Sequence, residues 1–159
     1  RKEIISMVLG TDMAYHFHAV SEFKALTSKN SADPVKWHED EKAMDLCRTM
    51  VLHAADLSNP GKGIKVSLEW SERCLREFFS QGDEEQRRGL PISPLCDRRT
   101  VHVPGSQIGF IEFVVQPTFI CLAAVFPRVE DVCLKGIDAT HRMWLRRKAA
   151  AAKGLDDAK

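Results

Sequence analysis

The residues best suited to chemistry lie in the run His53-Ala54-Ala55-Asp56-Leu57-Ser58-Asn59-Pro60. Asp56 closes an apolar helical stretch and is followed by a helix-breaking Ser-Asn-Pro, so the end of a helix can offer its carboxylate to a ligand. His53 lies three residues earlier on the same helix face, and imidazole and carboxylate groups are both zinc ligands. These residues alone leave two interpretations: a metal-binding pair, or a capping aspartate beside a core histidine, which is the commoner arrangement.

Helices must position these residues, because apolar side chains recur at helical spacing along most of the chain. The spacing predicts helices over residues 2–27, 39–57, 64–81 and 129–149, and another that begins near Ser106 and is bent or broken at Pro117. The polar stretch 27–34 separates the first two. No alternating strand pattern or repeat occurs. The predicted fold class is therefore all-α.

The third predicted helix carries an apolar stripe at i, i+4 spacing, made of Val66, Trp70, Cys74 and Phe78. Gly82 is expected to end this helix in the left-handed conformation. A short new turn of helix is expected from Asp83, with Gln86 three residues later as in a capping box. Residues 89–105, which include two closely spaced prolines, are expected to form an ordered loop.

Composition restricts the class of protein. A chain of 159 residues with 44% apolar and 28% charged residues is typical of one globular domain. A net charge of +1 argues against nucleic acid or an anionic membrane as a partner. The basic group Arg142, Arg146, Arg147 and Lys148 is interpreted as a solvated helix end, where cations suit the helix dipole.

Cysteine use and hydropathy bear on location. Five scattered cysteines without a CxxC pair are typical of reduced core thiols and favour the cytoplasm. The longest apolar run, residues 108–126, is interrupted by Glu112, Gln116 and Pro117, so no membrane-spanning segment is expected, and no signal peptide is recognised. Because the chain begins at Arg1 within a helical pattern, we expect it to be part of a longer polypeptide.

Several runs together resemble the class I cyclic-nucleotide phosphodiesterases. The matching runs share long, ordered and correctly spaced motifs: Leu9-Gly10-Thr11-Asp12-Met13, His53 to Pro60, Trp70 with Glu77 to Asp83, Gly89 to Asp97, and Ser106-Gln107-Ile108-Gly109-Phe110-Ile111-Glu112-Phe113. The resemblance makes residues 1–148 the C-terminal part of that family's all-helical catalytic domain. Residues 149–159 are then a tail that frays.

Members of this family hydrolyse the 3′,5′-cyclic phosphodiester of cAMP or cGMP to the 5′-monophosphate. The resemblance implies a zinc ion and a second divalent ion, magnesium or manganese, which activate a bridging water and neutralise charge at phosphorus. It makes Asp56 a direct zinc ligand and gives His53 the role of helix support.

The family's other metal ligands come from a His-Asn-x-x-His segment and a His-Asp pair, and neither occurs in this sequence. The histidine that protonates the leaving O3′ is missing with them, so no residue here is assigned as a catalytic acid. Catalytic zinc typically takes about three protein ligands, so the chain is expected to be inactive alone. The alternative is a reduced, non-catalytic relative that binds a purine nucleotide or a partner.

The resemblance also implies a substrate pocket. Gln107 would read the purine edge, because its amide can present a donor and an acceptor in either order, and Phe110 would stack on the purine. Cys74 stands where the family usually has a branched aliphatic side chain. Because cysteine is smaller, this side of the pocket is expected to contact the purine less tightly. The remaining residues expected to line the pocket are Met13, Leu57, Trp70, Ser71, Phe78 and Leu95.

Three further assignments follow from the same resemblance. Asn59 stands where the family varies with base preference, and its amide favours cAMP. Thr11 and Asp12 are expected to orient waters bound to the metals. Five other histidines are interpreted as ordinary residues: His16, His18, His38, His102 and His141.

The isolated chain is expected to self-associate. Helices that bury one face against absent helices would expose apolar surface, so a homo-oligomer is predicted alongside the cyclic nucleotide as partner.

Overall fold

Helices make up all the regular structure in this computed structural model, which describes residues 1–29, 37 and 40–153. In chain order the α-helices are α1 (Lys2–Leu9), α2 (His16–Lys29), α3 (Glu41–Asp56), α4 (Ile64–Arg87), α5 (Val103–Phe110), α6 (Gln116–Val125) and α7 (Lys135–Ala152). Short 3₁₀ turns occupy Met13–Tyr15 and Asn59–Gly61, and π turns occupy Ile111–Val115 and Glu130–Leu134. The all-α prediction is confirmed.

The core forms where α3, α5, α6 and α7 meet. Met50 of α3, Ile111 and Val115 between α5 and α6, and Ile137 of α7 are all fully buried. Helix α5 packs against α7, and α2 packs against both α3 and α6. Burying each such aliphatic side chain contributes about 1.5–3 kcal/mol. The end of α3 and the start of α5 carry residues of the candidate site. This packing fixes the two segments relative to each other.

The first predicted helix is interrupted, because a turn at residues 10–12 separates α1 from α2. The Thr11 hydroxyl donates to the carbonyl of Val8 at 2.8 Å, and the Asp12 carboxylate accepts from the backbone N–H of Ala14 at 2.8 Å. Such local side-chain bonds compete with helical ones. The prediction of one helix over residues 2–27 was therefore wrong.

Helix α4 does not end at Gly82. It continues to Arg87, and the left-handed residue is Gly89, with φ of 70°. Gly82 is buried inside the helix, where a Cβ would lie 2.0 Å from the carbonyl oxygen of Cys96. Glycine is thus required there for close approach of the loop. The predicted cap and the separate helical turn from Asp83 were wrong.

The apolar stripe on α4 does not face the core. Val66, Trp70 and Phe78 are 42–44% exposed, whereas the buried residues of the helix are Ser67, Ser71 and Gly82. Small residues let α4 approach its neighbours closely. Helical spacing correctly predicted that these apolar residues share one face of α4. It did not predict which face of the helix packs against the core.

The fourth predicted helix begins earlier and passes through Pro117 unbroken. It starts at Val103, where the Nδ1 atom of His102 accepts from the N–H of Gly105 at 3.1 Å. The π turn at Ile111–Val115 lies directly before Pro117. A π turn has a wider hydrogen-bond spacing, which relieves the clash that a proline ring otherwise makes with the preceding turn.

The combined helix Val103–Val125 is 23 residues long and apolar enough to cross a membrane by length and composition. The expectation that no segment reaches that length was wrong. Core helices of soluble proteins share these properties, and part of this helix is buried against α2, α3 and α7.

The C-terminal helix is longer than predicted. A π turn at Glu130–Leu134 leads into α7, which continues to Ala152 and so includes the first residues of the expected tail. Fraying of that tail stays a prediction. Residues 154–159 of the expected tail, most of the polar stretch 27–34, and His38 lie outside the described residues.

Candidate active site

A cavity of about 140 Å³ lies between α4, α5, the loop before α5 and the turn after α3. Its walls are mostly apolar with a few polar groups: Asn59, Ser71, Cys74, Leu75, Phe78, Leu95, Ser106, Gln107 and Phe110. Pockets for drug-sized ligands measure roughly 300–1,000 Å³. The cavity therefore suits one planar ring system rather than a whole nucleotide.

The polar end of the cavity is organised by Ser71 and Gln107. The Ser71 hydroxyl lies 3.0 Å from Oε1 of Gln107 and 2.9 Å from the carbonyl oxygen of Ser67. Ser71 is buried, whereas Gln107 is partly exposed to the cavity. The Ser71 hydroxyl has one proton, so it can donate to Gln107 Oε1 or to the Ser67 carbonyl, but not to both at once. Ser71 therefore holds the Gln107 amide in place while its own hydroxyl remains able to rotate between the two acceptors.

The apolar part of the cavity offers an aromatic ring and a thiol. Phe110 lines the cavity and also packs against the hydrophobic core, so it combines both roles that such a residue can have. Burial, and then the neighbouring Glu77 carboxylate, raise the pKa of the Cys74 thiol above its usual 9.0. Cys74 is therefore a neutral, apolar wall near pH 7.

Asp56 lies at a second, more open cleft, which it lines together with Val8, Thr11 and Leu52. It is the last residue of α3 and is exposed. Only two residues separate it from Asn59 in the cavity wall. A carboxylate and a base-sized cavity thus lie along the same connecting segment.

His53 faces the core, unlike Asp56. Its Nε2 atom lies 2.8 Å from Nδ1 of His16, and both rings are 1% exposed. Burial lowers the pKa of both imidazoles, and their mutual repulsion lowers that of His16 further, while Asp56 partly opposes the shift at His53. His53 is therefore a paired core histidine and does not form a metal pair with Asp56.

The described residues supply one candidate metal ligand and no complete set. Across residues 1–29, 37 and 40–153, no three histidine, cysteine, aspartate or glutamate side chains come together to hold an ion. Asp56 is open to solvent on a cleft and can accept a cation there. By itself it falls short of the roughly three protein ligands that catalytic zinc needs.

Comparison with known proteins identifies the family. The profile of the 3′5′-cyclic nucleotide phosphodiesterase family matches residues 1–137, which include both the cavity and Asp56. This chain belongs to that family. A human dual specificity calcium/calmodulin-dependent 3′,5′-cyclic nucleotide phosphodiesterase 1C is 36% identical over the whole chain, and a probable 3′,5′-cyclic phosphodiesterase from Caenorhabditis elegans is 44% identical over 76% of it.

A solved phosphodiesterase has the same arrangement of helices. The phosphodiesterase domain of the Salpingoeca rosetta rhodopsin phosphodiesterase superposes with a TM-score of 0.87 at 28% identity, covering 98% of this chain and 47% of that one. The chain spans 21% of the human relative and 17% of the nematode relative. It thus corresponds to about half of a phosphodiesterase domain and to a smaller part of whole phosphodiesterases.

The structure gathers most of the predicted phosphodiesterase pocket. Seven predicted residues line the cavity: Asn59, Ser71, Cys74, Phe78, Leu95, Gln107 and Phe110. Met13 and Trp70 are 46% and 44% exposed and lie outside the cavity lining, and Leu57 is buried. Contact of all ten residues with substrate stays a prediction.

Thr11 and Asp12 lie near the cleft, but their side chains have local roles. Thr11 lines the cleft beside Asp56, while its hydroxyl bonds to Val8. The Asp12 carboxylate caps the 3₁₀ turn that follows it. Their predicted role beside metal-bound water stays a prediction.

Sequence reasoning missed Leu75, Ser106 and the His16–His53 pair. Leu75 lies one helical turn after Ser71, and Ser106 directly precedes Gln107, so their positions in the motifs could have revealed both. The two histidines are 37 residues apart, and no sequence signal joins them.

Proposed function

We propose that the polypeptide containing this chain hydrolyses a 3′,5′-cyclic purine nucleotide to the 5′-monophosphate, with cAMP favoured over cGMP. The observation that carries this proposal is the cavity in which the Gln107 amide and the Phe110 ring lie together, next to the segment that ends in Asp56. An amide recognises a purine edge, and an aromatic ring stacks on its face. Stacking contributes about 1–3 kcal/mol per base.

Base preference would depend on Gln107 and Asn59. Each side chain amide carries a donor group and an acceptor, and both line the cavity. The Asn59 amide favours adenine in this proposal. The human relative's name describes dual specificity, so cAMP and cGMP must be compared directly.

Asp56 would bind one metal ion in the complete polypeptide. Zinc, with magnesium or manganese as the second ion, supplies an activated water and neutralises charge on the phosphate when bound. The open cleft at Asp56 supports this role. The other ligands would come from parts of the polypeptide beyond these 159 residues.

The test replaces Asp56 with alanine in the full-length polypeptide and measures hydrolysis of both nucleotides. Loss of a metal ligand should reduce kcat by more than the roughly 10–100-fold that loss of a supporting partner costs. Asp45→Ala is the matched control, because Asp45 lies on the same helix and, among the residues that the structure describes, pairs with Arg48. Full activity in Asp56→Ala would contradict the proposal.

A second candidate is a non-catalytic purine-binding module. It is favoured by one observation: the cavity is formed within this chain, whereas a full set of metal ligands is not found among the described residues. Calorimetric binding of cAMP by the full-length polypeptide, without turnover at any divalent metal concentration, would select this candidate.

We also propose that the isolated chain self-associates. Ile4, Val8 and Leu9 of α1 are 55–68% exposed, and contiguous apolar surface of this kind favours association. Sedimentation velocity should show species larger than a monomer. A single monomer boundary at high concentration would contradict this proposal.

A cytoplasmic location is the last part of the proposal. All five cysteines are free thiols, which suits a reducing compartment. Fractionation of cells that express the full-length polypeptide tests it, and recovery outside the cytosol would contradict it.

A further inference from the structure

His16 and His53 form a buried pair across two helices. Nδ1 of His16 and Nε2 of His53 are 2.8 Å apart, the ring centroids are 5.1 Å apart and the ring planes are tilted by 50°. A nitrogen-to-nitrogen distance of this size is a hydrogen bond in which one ring donates and the other accepts. The bond joins the first residue of α2 to the last turn of α3.

The remaining nitrogens of the pair are shielded from ligands. Nε2 of His16 and Nδ1 of His53 are buried and make no hydrogen bond of normal geometry among the residues that the structure describes, while the backbone of Thr11 lies close enough to the His53 ring to oppose the lowering of its pKa. A group that exchanges protons with substrate, or binds a metal, must reach the cleft, and neither ring lines it. The pair can therefore influence the cleft only through the two elements that it connects, the start of α2 and the end of α3.

On one side, the pair is attached to the turn between α1 and α2. That turn packs closely on α3, because a Cβ at Gly10 would lie 2.3 Å from Cγ2 of Thr49. Thr11 from the same turn lines the cleft. His16 begins α2 directly after the 3₁₀ turn at Met13–Tyr15, so the histidine is joined to this turn by the next peptide bond.

On the other side, the pair is attached to the end of α3. The backbone carbonyl of His53 accepts the N–H of Leu57 at 3.1 Å, which closes the last turn of the helix around Asp56. The same residue thus holds the helix end with its backbone and the neighbouring turn with its ring. Thr11 lines the cleft from the turn, and Asp56 lines it from the end of α3. The hydrogen bond between His16 and His53 connects these two elements.

We propose that His16 and His53 are positioning residues, which fix the Asp56 carboxylate relative to the Thr11–Met13 turn. This inference rests on the proposed function, since it assigns the pair to the cleft where Asp56 would bind a cation. Leaving either buried imidazole without its partner is destabilising, so the two elements are held in one register. The pair thereby preorganises the cleft without touching substrate.

The first experiment measures hydrogen exchange in the full-length polypeptide with His53→Phe, which keeps a ring but removes both nitrogens. Protection should fall together at the amides of Leu57 and Tyr15, which close the helix end and the 3₁₀ turn. His53→Gln, whose amide can still bond to His16, should restore part of it. Loss confined to α3 would overturn the inference.

The second experiment titrates Zn²⁺ into the metal-depleted full-length polypeptide, at a fixed Mg²⁺ concentration, while cyclic nucleotide hydrolysis is measured. We expect His53→Phe to raise the metal concentration for half-maximal activity about 10-fold, as for other residues that orient metal ligands, and to leave KM for the nucleotide within about 2-fold. His18→Gln is the control, because His18 is exposed and only approaches Glu22. An unchanged metal requirement with reduced kcat would show a merely structural role and overturn the inference.

The two experiments separate this inference from the proposed function. A wild-type polypeptide that never hydrolyses cyclic nucleotides refutes the proposed function, and hydrogen exchange then decides whether the pair couples the two elements. If His53→Phe does not fold, His16→Ala, which removes the partner ring, carries both measurements. Wild-type protection and metal requirement in His16→Ala would overturn the inference.

Discussion

The Ser71 hydroxyl contacts Oε1 of Gln107 at 3.0 Å and so joins the middle of α4 to the start of α5. This contact restrains the amide that faces the cavity. A hydrogen bond of this kind contributes about 0.5–1.5 kcal/mol. The orientation of Gln107 is therefore set by a small free energy, which a single substitution can remove.

Ser71→Ala is expected to reduce discrimination between cAMP and cGMP. Without the hydroxyl, the amide can rotate, and the ratio of kcat/KM for the two nucleotides should move roughly 2- to 10-fold toward one. Ser80→Ala is a matched control, because Ser80 bonds only to the carbonyl of Arg76 on the exposed face of α4. Equal ratios in wild type and Ser71→Ala would contradict the assignment.

Bound nucleotide is expected to protect Cys74 from thiol reagents. Cys74 lines the cavity, whereas Cys133 is similarly half-buried and lies outside it. Burial raises the pKa of both thiols above 9.0, so alkylation of each should become faster as pH rises. Mass spectrometry with saturating cAMP should show several-fold slower modification at Cys74 and no change at Cys133. Equal protection of both would place the nucleotide elsewhere.

Gly82→Ala is expected to destabilise the fold. The new Cβ would lie 2.0 Å from the carbonyl oxygen of Cys96, so the backbone of the loop must move. Overpacking of this kind costs about 1–3 kcal/mol, and it outweighs the gain of up to about 1 kcal/mol from the better helix propensity of alanine. Urea unfolding should show a lower midpoint with an unchanged slope.

Gly109→Ala is the control for that measurement. It also lies inside a helix, but its Cβ would meet only Cδ2 of Phe113 at 3.9 Å. The propensity gain then acts alone, and the unfolding midpoint should rise. A stabilised Gly82→Ala variant would show that the loop does not pack against α4.

Stability is expected to fall as pH decreases through the imidazole range. Burial lowers the folded-state pKa of His16 and His53 below their ordinary 6.5. The unfolded chain therefore binds protons first, so the free energy of unfolding is highest above about pH 6.5 and declines below it. Urea midpoints between about pH 7.5 and 5.5 measure this.

The variant that checks the origin of this pH dependence is His16→Gln. It removes one of the two titrating rings, so the decline should become shallower. His18→Gln, at an exposed position, should leave it unchanged. An equally steep decline in His16→Gln would assign the pH dependence to other groups.

The sequence by itself determined the fold class, the family and most of the cavity. Periodic apolar residues specify helices locally, and runs such as Ser106 to Phe113 keep Gln107 and Phe110 on one helix face whatever surrounds them. Ser71, Cys74 and Phe78 were expected in the cavity because the resemblance to the family implied it, and all three line it.

Only the tertiary structure decided which helix face is buried, where α4 ends and which histidines meet. The continuation of α4 through Gly82 depends on the backbone of Cys96, and the pairing of His16 with His53 depends on the packing of α2 on α3. These contacts join residues far apart in the chain. These contacts gain their free energy from shape complementarity and burial once the helices have assembled. The local periodicity of the sequence therefore does not predict them.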